Sequence, residues 1–198
     1  MMRIAVLDFG AGNLHSLTKA LALNACDVRI ESNAARSLDA DALILPGVGA
    51  FGPAASALAP HRTTLRDRLA QGLPCLGICL GMQLLFDTSE EAAGQGLGLL
   101  TGRVRRLAGV RLPQMGWNRV EPSADPLFDG IKELTAYYAN SYVSEPADAA
   151  AVIAWSACGK DRFPAAVRQG RVWGVQFHPE KSAAPGLRLL RNFVELAR

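Results

Sequence analysis

A chain of 198 residues can bury one sizeable core and is short for two average-sized domains, so residues 1–198 are expected to form a single domain. Hydrophobic residues make up 49% and charged residues 20%, ordinary usage for a water-soluble protein, and no apolar run approaches the ~20 residues of a membrane span. The net charge is only +3, and Arg103, Arg105, Arg106 and Arg111 have no interleaved aromatics of the kind that stack on bases, so this cluster reads as a solvated face and not as a nucleic-acid surface.

Arg3 leads straight into Ile4-Ala5-Val6-Leu7 and then Asp8, too short an apolar stretch for a signal-peptide core, and a cytoplasmic location is expected. Arg3 to Phe9 reads as a buried strand. Gly10-Ala11-Gly12 then turns into a helix with Leu14, Leu17 and Leu21 among its apolar positions. Ala42 to Leu45 is a second apolar strand, ending in Pro46-Gly47-Val48-Gly49. Pro74 to Ile78 is a third, running into a helical stretch from Leu80 to Phe86. Strands alternating with helices predict an α/β fold with a mostly parallel sheet covered on both faces. After Gly102 the pattern changes to short strand-like pieces: Arg103 to Leu107, Leu134 to Tyr138, Val152 to Trp155, Ala165 to Arg168 and Val172 to Phe177. These fit antiparallel additions in the C-terminal half. A closing helix, Gly186 to Ala197, places Leu187, Leu190, Phe193 and Val194 on one face.

Gly77-Ile78-Cys79-Leu80-Gly81 has the glycine-x-nucleophile-x-glycine form of a nucleophile elbow, with cysteine as the nucleophile. Strand before and helix after would hold Cys79 at the carboxyl edge of the sheet, and the helix N-terminus would favour its thiolate. Cys26, Cys75 and Cys158 lack such a context and read as small buried hydrophobes. A thiolate needs a base and a group that orients the base. Phe177-His178-Pro179-Glu180 supplies both: Pro179 biases His178 toward an extended conformation, from which Glu180, two residues on, can hold the imidazole. His15 and His61 have no comparable carboxylate and read as surface or interface residues. For the oxyanion of an acyl-transfer intermediate, the backbone N–H of Leu80 is one donor, and the glycine loop at Val48 and Gly49 offers the other.

Gly10-x-Gly12 after the first strand could suggest a dinucleotide site, but the sixth position of that motif is His15 where a glycine is required, so no nicotinamide or flavin is expected. The cysteines form no C-x-x-C pair and the three histidines are scattered, so neither a metal nor any other cofactor is expected.

Elbow, glycine loop and His-Pro-Glu in this order make the chain resemble the class I, triad-type glutamine amidotransferases. Within them it is similar to the glutaminase subunits of imidazole glycerol phosphate synthases. The similarity runs through Asp8-Phe9-Gly10-Ala11-Gly12-Asn13-Leu14, Pro46 to Phe51, Gly77 to Gln83, Pro113-Gln114-Met115-Gly116-Trp117-Asn118 and Val175 to Ser182. The resemblance implies a flavodoxin-like three-layer fold. It also implies hydrolysis of L-glutamine to glutamate and ammonia through a cysteine thioester. The partner it implies is a (β/α)₈-barrel cyclase, which forms a heterodimer with this chain and uses the ammonia to make imidazole glycerol phosphate and AICAR in histidine biosynthesis. It assigns nucleophile, base and orienting carboxylate to Cys79, His178 and Glu180. Gln83, Glu91, Ser141 and Tyr142 match positions that hold the glutamine, while Asn13, Met115, Trp117, Tyr137 and Lys181 match positions facing the cyclase. Where the family usually reads His-Ser-Tyr, this chain has Asn140-Ser141-Tyr142, and asparagine cannot take up a proton near neutral pH.

Three other readings share the motifs: the glutaminase subunit of pyridoxal phosphate synthase, whose glycine loop differs; a peptidase or γ-glutamyl hydrolase; and a non-catalytic partner-binding module. Ammonia release from free glutamine separates the last two from a glutaminase.

Overall fold

The structure, a computed structural model, describes residues 1–10, 14–108 and 111–198. The first half builds a parallel sheet from β1 (Arg3–Leu7), β2 (Asp27–Glu31), β3 (Ala42–Leu45) and β4 (Cys75–Ile78). Between them run α1 (His15–Ala22), α2 (Ala34–Ser37), α3 (Phe51–Leu58) and α4 (Arg62–Ala70). The second half adds α5 (Leu80–Gln83), β5 (Thr88–Ser89), β6 (Gly102–Arg106), β7 (Gln114–Pro122), β8 (Leu134–Asn140), β9 (Tyr142–Pro146), β10 (Val152–Cys158), β11 (Asp161–Gln169), β12 (Val172–Val175) and α6 (Ala183–Ala197).

The main sheet runs β2-β1-β3-β4-β12-β11-β10-β7-β8. It is parallel from β2 to β12 and antiparallel beyond, as the change of pattern after Gly102 predicts. Side chains alternate across the central strands and so feed two separate cores. Ile4, Val6, Ile44 and Ile78 pack with α1 and α6, whereas Ala5, Leu7, Leu43 and Leu45 pack with α3 and α4. Burial on both faces is why these strands read as continuous apolar runs. The last strand, β12, sits between β4 and β11, and its four residues are fully buried.

Several elements differ from expectation. The first strand ends at Leu7, because the Asp8 carboxylate accepts from the Gly10 N–H at 2.9 Å and starts the turn. The helix after Cys79 is a single turn ending at Gln83, since the chain from Leu84 on offers carbonyls to the returning segment: Leu97 N–H donates to Leu84 (2.7 Å) and Leu99 N–H to Leu85 (2.9 Å). The final helix begins at Ala183, and Leu187 stays 39% exposed while Leu189 is buried. Strands β2, β7 and β9 are additions to the expected set, as is the small sheet β5-β6-β9. Of the expected solvated arginines, Arg103 and Arg106 are exposed, but Arg105 is tied by two 2.8 Å bonds to the Asp161 carboxylate, which also accepts from the Ala108 N–H. Among the described residues no helix is long and apolar enough to cross a membrane.

Candidate active site

Cys79 sits between β4 and α5 at φ 51°, ψ −105°, a conformation that costs a non-glycine residue on the order of 1–3 kcal/mol. Its neighbours leave no other path. A Cβ at Gly77 would come within 2.7 Å of the Gly81 backbone, and one at Gly81 would collide with the carbonyl oxygen of Leu45. The Cys79 N–H donates to the Val175 carbonyl at 2.7 Å, and its carbonyl accepts from the Gln83 N–H at 3.1 Å. Gly47 closes onto the same turn, where a Cβ would overlap the Ile78 carbonyl and the Leu80 nitrogen. The glycine loop is thereby seated on the elbow, with Val48 and Gly49 at the cavity over Cys79.

His178 follows β12 in an extended conformation. Its N–H donates to Tyr137 (2.9 Å), while the Ser182 hydroxyl donates to the His178 carbonyl (2.6 Å) and accepts from the Tyr137 N–H (2.9 Å). Glu180 does not continue the extended segment, because Pro179–Lys181 forms one 3₁₀ turn that folds its carboxylate back to His178. Nδ1 and Glu180 Oε1 are 2.9 Å apart, with both side chains buried. Burial penalises the imidazolium, but Cys79 and then Glu180 outweigh it and raise the His178 pKa to about 9. Nε2 has no aligned hydrogen-bond partner, and Cys79 is the neighbour on that side of the ring. The helix after Cys79 is one turn long and so carries little of the dipole expected from the sequence. Burial pushes the thiols of Cys75 and Cys26 up, and Cys158 is half-buried against the core.

A cavity of about 220 Å³ over Cys79 is lined by Val48, Gly49, Leu80, Gln83, Glu91, Asn140, Ser141 and Tyr142, so the oxyanion and substrate candidates converge on it. Another cleft of similar volume lies by α2 and β2, away from these groups, and is lined by Arg29, Glu31, Arg36 and Asp39. Gln83 is 5% exposed, and its Nε2 donates to the Tyr142 carbonyl (3.0 Å) and to Gln176 Oε1 (3.2 Å). One oxygen of Glu91 accepts from the Phe51 N–H at the start of α3 (2.8 Å). Asn140 Nδ2 donates to the Tyr142 carbonyl (3.0 Å), and its Oδ1 is buried without a partner. Gln176, fully buried with Nε2 3.5 Å from Cys79 Sγ, is a residue the sequence reading passed over. Its spacing of two from His178 carried the signal, since alternate residues of an extended segment share a face.

Met115 and Trp117 point out from β7, 67% and 57% exposed. Trp117 stacks edge-on against Tyr137 of β8 (6.2 Å between rings), and the Lys181 ammonium lies 5.7 Å from the Tyr137 ring centre. Four of the five expected partner-facing residues thus form one patch. Asn13 lies outside the described residues.

A cysteine at an elbow, an imidazole held by a carboxylate and backbone N–H groups around one cavity are the parts needed for acyl transfer through a thioester. The sequence profile of the family described as glutamine amidotransferase class-I matches residues 5–196. The imidazole glycerol phosphate synthase subunit HisH of Halobacterium salinarum is 46% identical over 202 residues, covering 97% of this chain and 92% of that protein. The HisH subunit of Methanocaldococcus jannaschii is 44% identical, covering 98% and 99%. Among solved structures, a putative GMP synthase component from Thermoplasma acidophilum superimposes with a TM-score of 0.78 at 22% identity, over 100% of this chain and 94% of that one. A crystal structure described as a glutamine amidotransferase gives 0.78 at 24%, over 98% of each chain.

Proposed function

Because the chain belongs to the class-I glutamine amidotransferase family, we propose that it is the glutaminase subunit of an imidazole glycerol phosphate synthase. It works as one domain spanning residues 1–198, in the cytoplasm, and supplies ammonia to a (β/α)₈-barrel cyclase in histidine biosynthesis. His178 takes the thiol proton of Cys79, and the thiolate attacks the side-chain amide carbon of glutamine. The oxyanion that forms is met by the Leu80 N–H and by an N–H of the Val48–Gly49 segment. The imidazolium, oriented by Glu180, returns the proton to the departing nitrogen, releasing ammonia and leaving a glutamyl thioester. Water, deprotonated by His178, cleaves the thioester to glutamate and the free thiol. Gln83, Glu91, Ser141 and Tyr142 hold the glutamine. The patch of Met115, Trp117, Tyr137 and Lys181, with Asn13, receives the cyclase, which covers an apolar face otherwise in water.

The observation that carries this reading is the strained, buried Cys79 beside a His178 bonded to Glu180, under a cavity of amino-acid size. The test is ammonia release from glutamine by the chain alone and with the cyclase and its nucleotide substrate. Release rises at least a hundredfold with the liganded partner, and Cys79→Ala abolishes it while the circular dichroism spectrum is kept. An active Cys79→Ala variant would sink the assignment.

A further inference from the structure

Gln176 takes no part in the proposed reaction, yet it is fully buried against Cys79. Its backbone is pinned: the Gln176 N–H donates to Ala165 (2.9 Å), and the preceding carbonyl, of Val175, holds the Cys79 N–H (2.7 Å). Phe177 turns into the core, so Gln176 and His178 face the cysteine together.

Hydrogen-bond chemistry fixes which end of the Gln176 amide meets the sulfur. The Tyr142 carbonyl can only accept, so Gln83 must present its NH₂ there, at 3.0 Å. The same NH₂ lies 3.2 Å from the side-chain oxygen of Gln176, which therefore accepts. What remains, 3.5 Å from Cys79 Sγ, is the Gln176 NH₂, a donor. A buried amide N–H facing a neutral thiol gains little, since that sulfur is a weak acceptor, whereas facing a thiolate it makes a charge-assisted bond. We infer that Gln176 is a further catalytic residue whose side-chain NH₂ donates to Cys79 Sγ and stabilises it as the thiolate. The inference rests on Cys79 being the nucleophile. The titratable groups that share this surrounding are His178, with Glu180 behind it, from the segment after β12, and Glu91 and Tyr142 from the cavity wall. His178 supplies the opposing charge, and Gln176 a neutral donor that does not itself titrate.

The test is the pH dependence of Cys79 alkylation by iodoacetamide on the full chain, mapped to the Cys79 peptide. Gln176→Glu keeps the shape and can still accept from Gln83, but a carboxylate has no proton for the sulfur; Gln176→Met removes the donor without adding charge. Both are expected to move the alkylation midpoint up by about one pH unit, with roughly tenfold slower alkylation at pH 7 and a matching fall in kcat for glutamine. Folded variants with an unmoved midpoint would overturn the inference. Should neither variant fold, the side-chain amide resonances of Gln176 in ¹⁵N-labelled unaltered protein decide. They shift across the alkylation midpoint if the bond exists and stay fixed in Cys79→Ala, and pH-independent resonances in the unaltered protein would overturn the inference. Ammonia release by Cys79→Ala sinks the parent reading, whereas an inactive Cys79→Ala beside indifferent Gln176 variants sinks only this one.

Discussion

Gly47 and Gly49 are two residues apart in one loop, and they live under opposite constraints. At Gly47 a side chain would overlap the Ile78 carbonyl and the Leu80 nitrogen. At Gly49, which has φ +135°, an added Cβ would find only a leucine methyl, Leu80 Cδ2, at 3.6 Å. The same loop is packed tight where it seats the elbow and uncrowded at the Val48–Gly49 segment, proposed above as an oxyanion donor. The position of the Cys79 sulfur is therefore a property of backbone packing, while at Gly49 no neighbouring backbone crowds the residue. A donor on such a peptide can be presented or withheld without disturbing Cys79, and one missing donor costs about 10²- to 10³-fold in turnover. On the proposed function, a cyclase that binds the donor-presenting state more tightly would gain a handle on the reaction that leaves the triad intact.

Substitutions can break that contrast. Gly81→Ala forces a methyl into the Leu45 carbonyl, a backbone atom that cannot step aside, so glutaminase activity is lost together with thermal stability, measured as a fall in Tm. Gly49→Ala meets no such wall and strains only its own φ. Its Tm falls by a few degrees, while partner-stimulated turnover drops by roughly 10²-fold as the peptide loses the conformation that presents its N–H. A variant with unchanged turnover would remove the donor from this segment.

The locked side can be sharpened by titration. His178 is raised to about 9 from an ordinary 6.5, so its protonation stabilises the fold fully below about pH 6.5, and that contribution is lost as pH rises through about 9. In Cys79→Ala the cysteine's share of the effect vanishes, and the imidazole midpoint, followed by NMR, moves down toward 6.5; an unmoved midpoint would mean that Glu180 alone sets it. The smallest effect is expected furthest from the elbow. Trp117→Ala should leave the stability of the isolated chain within about 0.5 kcal/mol, because the ring is 57% exposed, yet weaken binding to the cyclase in a titration of the two subunits.

Much of the catalytic corner was legible because it is written in backbone terms. Apolar runs buried on both faces marked β1, β3 and β4, and glycines at 77 and 81 marked the elbow. β2 is an edge strand, Asp27-Val28-Arg29-Ile30-Glu31, whose alternation of polar and apolar residues is itself a strand signal left unused. The rest of what escaped was set by tertiary context. β7 begins with Gln114-Met115-Gly116-Trp117, where apolar residues point to solvent and reverse the usual pattern. Leu84 to Phe86 continue a helical period but give their carbonyls to the segment at 97–100. Arg105 looked like its neighbours until Asp161, 56 residues on, was placed against it. Gln176 lies in the Val175 to Ser182 motif, and only the geometry of Gln83 and Tyr142 shows which end of its amide meets the sulfur.

The position of β12 has a consequence for synthesis. It is the last strand made and one of the innermost, pairing with β4 on one side and β11 on the other, and it carries Gln176 and His178 to a cysteine that left the ribosome 97 residues before Gln176. A nascent chain halted before Val172 has its elbow but neither base nor partner strand, and β4 is left with a bare edge. With His178 as the proposed base, such a chain would not hydrolyse glutamine, and its open edge favours pairing with another copy of itself. Catalytic competence thus arrives late and all at once, with the strand that closes the sheet.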